Sequence, residues 1–240
     1  MKTYPLESMT MEQAKKLQFK LIDTITKHFN GKDILTLGDL GVVMGINKPA
    51  TTLKVEQTLA DFFGVEKAVL LRGAGTGSLR WGIISMVKPG DTMLVHDAPI
   101  YPTTKVTIDS MGLKIVKVNF NKEDEIKQIL TTENIDAVLI QYTRQKINDE
   151  YDMEHVINII REVRKDIQII TDDNYAVMKV RKTGAQCGAQ LSAFSLFKLL
   201  GPEGIGCLIG KGSYVDNVIK LNYSGGSQVQ GHEAMEALRG

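Results

Sequence analysis

Between residues 92 and 170, apolar runs of strand length alternate with stretches whose apolar residues recur at helical spacing. Strands read at 92–95, 114–118, 137–141 and 167–170, and helices at 105–111, 122–130 and 153–164. Val138, Leu139 and Ile140, and the run from Ile167 to Ile170, are near-continuous apolar stretches with no polar alternate face. Strands of that kind are buried on both sides, as in a parallel sheet covered by helices. The alternation predicts an α/β fold, a three-layer doubly wound domain with a mostly parallel sheet. Upstream, residues 68–71 read as one more buried strand. A helix over residues 51–63 precedes it, closed by Gly64, and another spans about residues 10–29, stopped by Asn30-Gly31. The chain then divides into an N-terminal helix with a connecting interface segment (1–50) and a main domain (51–240).

In such sheets ligands collect beyond the carboxyl ends of the strands. Four polar segments fall there: residues 73–78, 96–102, 141–145 and 171–175. The first, Gly-Ala-Gly-Thr-Gly-Ser, joins a strand to a helix, which turns unpaired N–H groups and the positive helix end toward any anion. No Gly-Lys-Ser/Thr closes it, so it is not a Walker loop, and Ser78 stands where the third glycine of a dinucleotide fingerprint belongs. A phosphate seat, a nucleotide site and a tight structural turn all remain open for Gly75, Thr76 and Gly77.

Downstream runs LSAFSLFKLLGPEGIG, residues 191–206, with Lys198 among Phe194, Leu196, Phe197, Leu199 and Leu200. A desolvated site would favour the neutral amine, a nucleophile toward carbonyls. By itself the stretch favours a lysine that lays its stem on the core and keeps its head in water. Asp172 and Asp173 end the strand over 167–170; adjacent carboxylates there serve as caps, as metal ligands, or as partners that keep a ring nitrogen protonated. No Asp-x-Asp spacing and no nearby histidine supports a metal, and none is expected. Tyr101 is a turn residue or a ring that stacks on a flat ligand, and Ser195 is a strand serine or a hydroxyl donor to phosphate. Of the four histidines, His96 alone falls beside these strand ends.

Twenty-nine basic against 28 acidic residues leave no global field to draw nucleic acid or a membrane surface, so a small molecule is the expected partner. Cys187 and Cys207 are too few for a disulfide framework and suit a reducing compartment. No apolar run approaches the roughly eighteen residues of a membrane span, and the first thirty residues carry no signal-peptide core. A cytoplasmic protein is expected.

The glycine-rich turn, Tyr101, the Asp173-Asn174 pair and the Ser195-x-x-Lys198 motif occur in an order and at spacings that resemble the large domain of fold-type I pyridoxal-phosphate enzymes. The resemblance runs from about residue 51 to 231 and is nearest the aminotransferase class V and Cys/Met-metabolism groups, including lyase-like members related to aluminium-resistance proteins. It implies pyridoxal 5'-phosphate held as an aldimine on Lys198, which would also shuttle the Cα proton. Asp173, favoured over Asp172, would protonate the pyridine nitrogen and Tyr101 would stack on the ring. Gly75, Thr76, Gly77 and the Ser195 hydroxyl would hold the phosphate, with Gln141 near the phenolic oxygen and Asn174 beside Asp173. The activity implied is transamination or β/γ-elimination on an amino acid, or a catalytically silent homologue that keeps the cofactor. A homodimer with sites at the interface is implied, Ser227 and Gln228 approaching the neighbour's phosphate. Family members continue into a small C-terminal domain that grips the substrate carboxylate, and that domain is expected to be absent from this chain.

Overall fold

The computed structural model describes residues 7–223 and 228–240. In chain order these form α1 (Met11–His28), α2 (Ala50–Phe63), β1 (Lys67–Arg72), α3 (Ala74–Met86), β2 (Thr92–His96), α4 (Pro102–Ser110), β3 (Lys114–Val118), α5 (Glu123–Thr132), β4 (Ala137–Gln141), α6 (Met153–Val163), β5 (Gln168–Asp172), β6 (Leu191–Ser195), β7 (Ile205–Gly210), α7 (Gly212–Leu221) and α8 (Gly231–Arg239). Local signals set the ends: a Thr10/Gln13 capping box opens α1, Asp152 caps α6, and Gly64 closes α2 in the left-handed conformation.

The seven strands lie in one sheet in the order β1-β7-β6-β5-β4-β2-β3. β2, β3, β4, β5 and β6 pair in parallel, while β7 runs antiparallel to both β6 and β1. β1 therefore points the same way as β6, and six of the seven strands end on one edge. The single reversal has a short cause: only residues 196–204 separate β6 from β7, too few for the dozen or so residues of a parallel crossover.

Successive strand residues face opposite layers. On β1, Ala68 and Leu70 pack with Val55, Leu59 and Phe63 of α2, while Val69 and Leu71 pack with Leu79 and Ile83 of α3. On β4, Val138 and Ile140 meet Ile126 of α5 and Ile157 and Ile160 of α6, while Ala137 and Leu139 face the α3 side. The result is three layers, as expected. Ile25 and Phe29 of α1 join the same cluster as α2, so the N-terminal helix is tied to the main core. Among the described residues, no helix is long and apolar enough to cross a membrane, and no group of three or more His, Cys, Asp or Glu side chains is placed to hold a metal.

Candidate active site

All four polar segments reach the same edge of the sheet, where with β6 they surround a cleft of about 390 Å³. Its walls include Ala74, Gly75 and Thr76 from the start of α3, Tyr101 and Thr103 from the start of α4, and Gln141 and Thr143 after β4. Asp172, Asn174 and Tyr175 line it after β5, and Ser195 and Lys198 after β6. A larger hollow of about 890 Å³ lies beside α6, but ion pairs such as Lys182–Glu154 and Arg181–Glu7 occupy its charged groups.

The turn into α3 is built for close approach. Gly73 has φ +97° and Ala74 φ +55°, and their N–H groups donate to the Gly204 carbonyl at 2.8 and 2.9 Å. A Cβ on Gly75 would stand 2.4 Å from Asn174 Oδ1, and one on Gly77 2.1 Å from the Arg72 carbonyl. Gly75 and Thr76 thus face the cleft at a helix N-terminus, an arrangement suited to an anion. Gly77, expected as a cofactor contact, is turned against Arg72 instead and does not line the cleft: its glycine serves the tight turn.

Asn174 brackets three elements. Its Oδ1 accepts the Ser195 N–H at 3.0 Å, its Nδ2 donates to Asp172 Oδ1 at 2.8 Å, and its own N–H donates to the same oxygen at 3.0 Å. Asp172 thereby holds a fixed orientation facing the cleft. Burial pushes its carboxyl above the usual range, against the lowering effect of Asn174. A half-buried carboxyl with only an amide beside it is the partner a ring N–H cation would satisfy.

Asp173, expected in that role, is turned the other way. Consecutive strand residues point to opposite faces, and Asp173 lies fully buried behind the strand end. There Gly184 N–H donates to Oδ2 at 2.9 Å, and Oδ1 has no hydrogen-bond partner. Burial pushes this carboxyl up to about 7. The carboxyl that faces the cleft is therefore that of Asp172.

Lys198 sits on a single 3-10 turn, Leu196–Leu199, directly after β6. Its surroundings are less dry than the neighbouring apolar residues suggest, because Phe197 is 53% and Leu200 88% exposed and the lysine is half-buried. What fixes the amine is Tyr175, whose hydroxyl oxygen accepts from Lys198 Nζ at 2.7 Å. Tyr175 holds φ +66°, rare for a bulky residue, and two of the non-glycine positive-φ residues, Ala74 and Tyr175, line the cleft. Tyr175 was not singled out by sequence; the available signal is its place three residues after Asp172 at a strand end.

Of the other expected residues, Tyr101 ends its loop as the N-cap of α4, with Pro102 in the first helical position and the ring 58% exposed at the cleft. Gln141 lines the cleft and its Nε2 donates to Thr143. Ser195 is buried at the cleft floor. His96 is buried against Asp149 at 2.9 Å, outside the cleft. Gln228 donates to the Asn47 carbonyl and lines a separate cavity with Lys48 and Glu56, and Ser227 lies outside the described residues. An amine, a ring-facing carboxylate, an exposed aromatic face and a helix N-terminus cleared of side chains fit a flat, phosphorylated aldehyde such as pyridoxal phosphate.

The model of the family described as aminotransferase class-V matches residues 45–237. The uncharacterized protein YhfS of Escherichia coli is 48% identical over the whole chain, which spans 66% of that relative's length. The crystal structure of YhfS, described as pyridoxal-5'-phosphate dependent, superposes with a TM-score of 0.96, covering 100% of this chain and 66% of that one. A putative cystathionine β-lyase involved in aluminum resistance from Clostridium acetobutylicum has a TM-score of 0.80 at 19% identity, over 95% of this chain and 61% of that one, a likeness of fold alone.

Proposed function

We propose, from the premise that this chain belongs to the aminotransferase class-V family, that it binds pyridoxal 5'-phosphate in this cleft and acts on an amino acid, by transamination or by β/γ-elimination. The observation that carries the reading is the meeting of Lys198 and the half-buried Asp172 in one cleft whose other walls are Tyr101 and the N-terminus of α3. When bound, the cofactor supplies an electron sink for negative charge at the substrate Cα. Lys198 anchors it and then moves the Cα proton on Nζ, with the Tyr175 hydroxyl holding that nitrogen between transfers. Asp172 holds the proton on the ring nitrogen, and Asn174 keeps the carboxylate aimed. Tyr101 orients the ring from its open face. The Gly75 and Thr76 N–H groups and the Ser195 hydroxyl bind the phosphate, and Gln141 orients the ring's oxygen edge.

Residues 51–240 form the cofactor-binding unit in this reading, with residues 1–50 as an N-terminal helix and interface segment. Among the described cleft-lining residues Lys198 is the sole basic side chain. A substrate α-carboxylate accordingly takes its cationic partner from outside them, which suits a homodimer whose sites lie at the interface.

The test is the visible spectrum of the protein reconstituted with pyridoxal phosphate, before and after borohydride, with peptide mapping of the reduced adduct. A visible band and an adduct on Lys198, both lost in Lys198→Ala, are expected; no band and no adduct overturn the reading. Keto acid released with ammonia identifies elimination, and keto acid formed without ammonia, only with an amino acceptor present, identifies transamination.

A further inference from the structure

His96 and Asp149 form a buried pair that the chemistry above does not use. His96 ends β2 at 2% exposure, and Asp149, in the loop after β4, is 3% exposed. The imidazole Nδ1 accepts the Phe120 N–H at 3.1 Å, which leaves Nε2 as the donor to Asp149 Oδ1 at 2.9 Å. The Asp149 carboxylate also accepts from the Gln145 and Lys146 N–H groups at 2.9 and 2.7 Å and from Asn121 Nδ2 at 3.2 Å. Burial works to raise its pKa, but these donors outweigh burial and hold it below the usual carboxylate range.

Two loops of the cleft meet at this pair. Residues 97–101 leave β2 directly after His96 and deliver Tyr101; residues 142–152 leave β4 directly after Gln141 and deliver Thr143. Exposed contacts also join them, Gln145 Nε2 to the Pro99 carbonyl at 3.1 Å and Lys146 Nζ to Asp97 at 3.3 Å. Exposed pairs of that kind contribute little singly, so the buried pair is the strong link. Tyr151 reinforces it from behind, its ring 5.2 Å from the imidazole and its hydroxyl donating to the Gln141 carbonyl at 2.8 Å. A cavity of about 20 Å³, room for about one water, separates His96 from Tyr101, Gln141 and Asp172.

We propose that His96 is a positioning residue, which through Asp149 staples the two loops and so fixes Tyr101 and Gln141 against the cofactor ring. The inference rests on the function proposed above, and the test has an arm that does not. In the cofactor-free protein, His96→Leu is expected to raise amide hydrogen exchange across residues 97–101 and 142–149 while leaving α7 unchanged; unchanged exchange in both loops overturns the staple. In the second arm, pyridoxal phosphate is titrated into wild type, His96→Leu, Tyr101→Ala and the double variant. Each single substitution is expected to raise the dissociation constant on the order of tenfold and to weaken the induced visible circular dichroism of the bound cofactor. The double variant is expected to fall near the worse single one, because both substitutions free the same ring. Additive losses, or an unchanged dichroic band in His96→Leu, overturn the inference. Wild type that binds no pyridoxal phosphate overturns the proposed function instead, with the exchange arm still deciding the staple. Where His96→Leu yields no folded protein, Asp149→Asn runs through both arms with the same expectations.

Discussion

Lys198 Nζ and the Tyr175 hydroxyl lie 2.7 Å apart, and the tyrosine reaches that position from a backbone with φ +66°. A left-handed conformation at a bulky residue is unfavourable by about 1 to 3 kcal/mol and persists only where its surroundings impose it. The hydroxyl is thereby held in front of the amine before any ligand arrives. Tyr175→Phe removes that acceptor while keeping the ring. The expected outcome is a protein that still folds and binds pyridoxal phosphate, with turnover lowered by about 10²-fold and a displaced pH dependence of its visible band. A spectrum and turnover identical to wild type would leave Tyr175 without this role.

Asp172 and Asp173 are separable by substitution, since one faces the cleft and the other does not. Asp172→Asn removes the cleft-facing carboxyl and, on the proposed function, is expected to lower turnover by at least about 10²-fold with little change in folding. Asp173→Asn, behind the strand end, is expected to leave cofactor binding near wild type. Cofactor titration and turnover of the two variants check the assignment, and the reverse pattern would return the role to Asp173.

The reason the sequence could not choose between these neighbours lies in the strand they end. Ile169 and Ile170 are both buried, one toward each layer, so no polar alternation marks which face Asp172 takes. The same double burial is what made β4 and β5 legible as interior strands. Tyr175 escaped for a related reason, because its direction follows from a backbone torsion after the strand rather than from any periodicity. That Lys198 lines the cleft, by contrast, was legible from its order relative to the glycine turn, whereas its surroundings are wetter than Phe197 and Leu200 implied, since both side chains are exposed. β7 lies beyond the alternation read between residues 92 and 170, and its reversal follows from the short connection before it.

The pH dependence of stability provides an independent measure of Asp173. Its carboxyl ionises near 3.8 in the unfolded chain, and burial raises it to about 7 in the fold. The folded state binds its proton the more tightly, so the contribution to stability is present below 3.8, is lost as pH rises through 7, and levels off above. Asp173→Asn removes the ionisable group and is expected to flatten that decline, with the largest gain over wild type, up to about 4 kcal/mol, near pH 8. Urea titrations at pH 5 and pH 8 check this; a variant that loses stability as steeply as wild type would exclude Asp173 as the source.

Gly75 is the point where the anion seat and the carboxylate bracket share one volume. A methyl group there would lie 2.4 Å from Asn174 Oδ1 and 2.5 Å from Nδ2, and Asn174 is the residue that holds both Asp172 and the Ser195 N–H. Gly75→Ala therefore forces Asn174 away and releases two bonds at once, in a position where backbone torsion alone would tolerate alanine, since Gly75 carries no positive φ. The expected result is a rise in the pyridoxal phosphate dissociation constant on the order of 10²-fold and a loss of about 2 kcal/mol in stability. Asn174→Ala in the Gly75→Ala background removes the clash together with the bracket, so it is expected to recover stability without recovering affinity. Affinity restored by the second substitution would show that Asn174 serves only to fill space, and that Asp172 is aimed by something else.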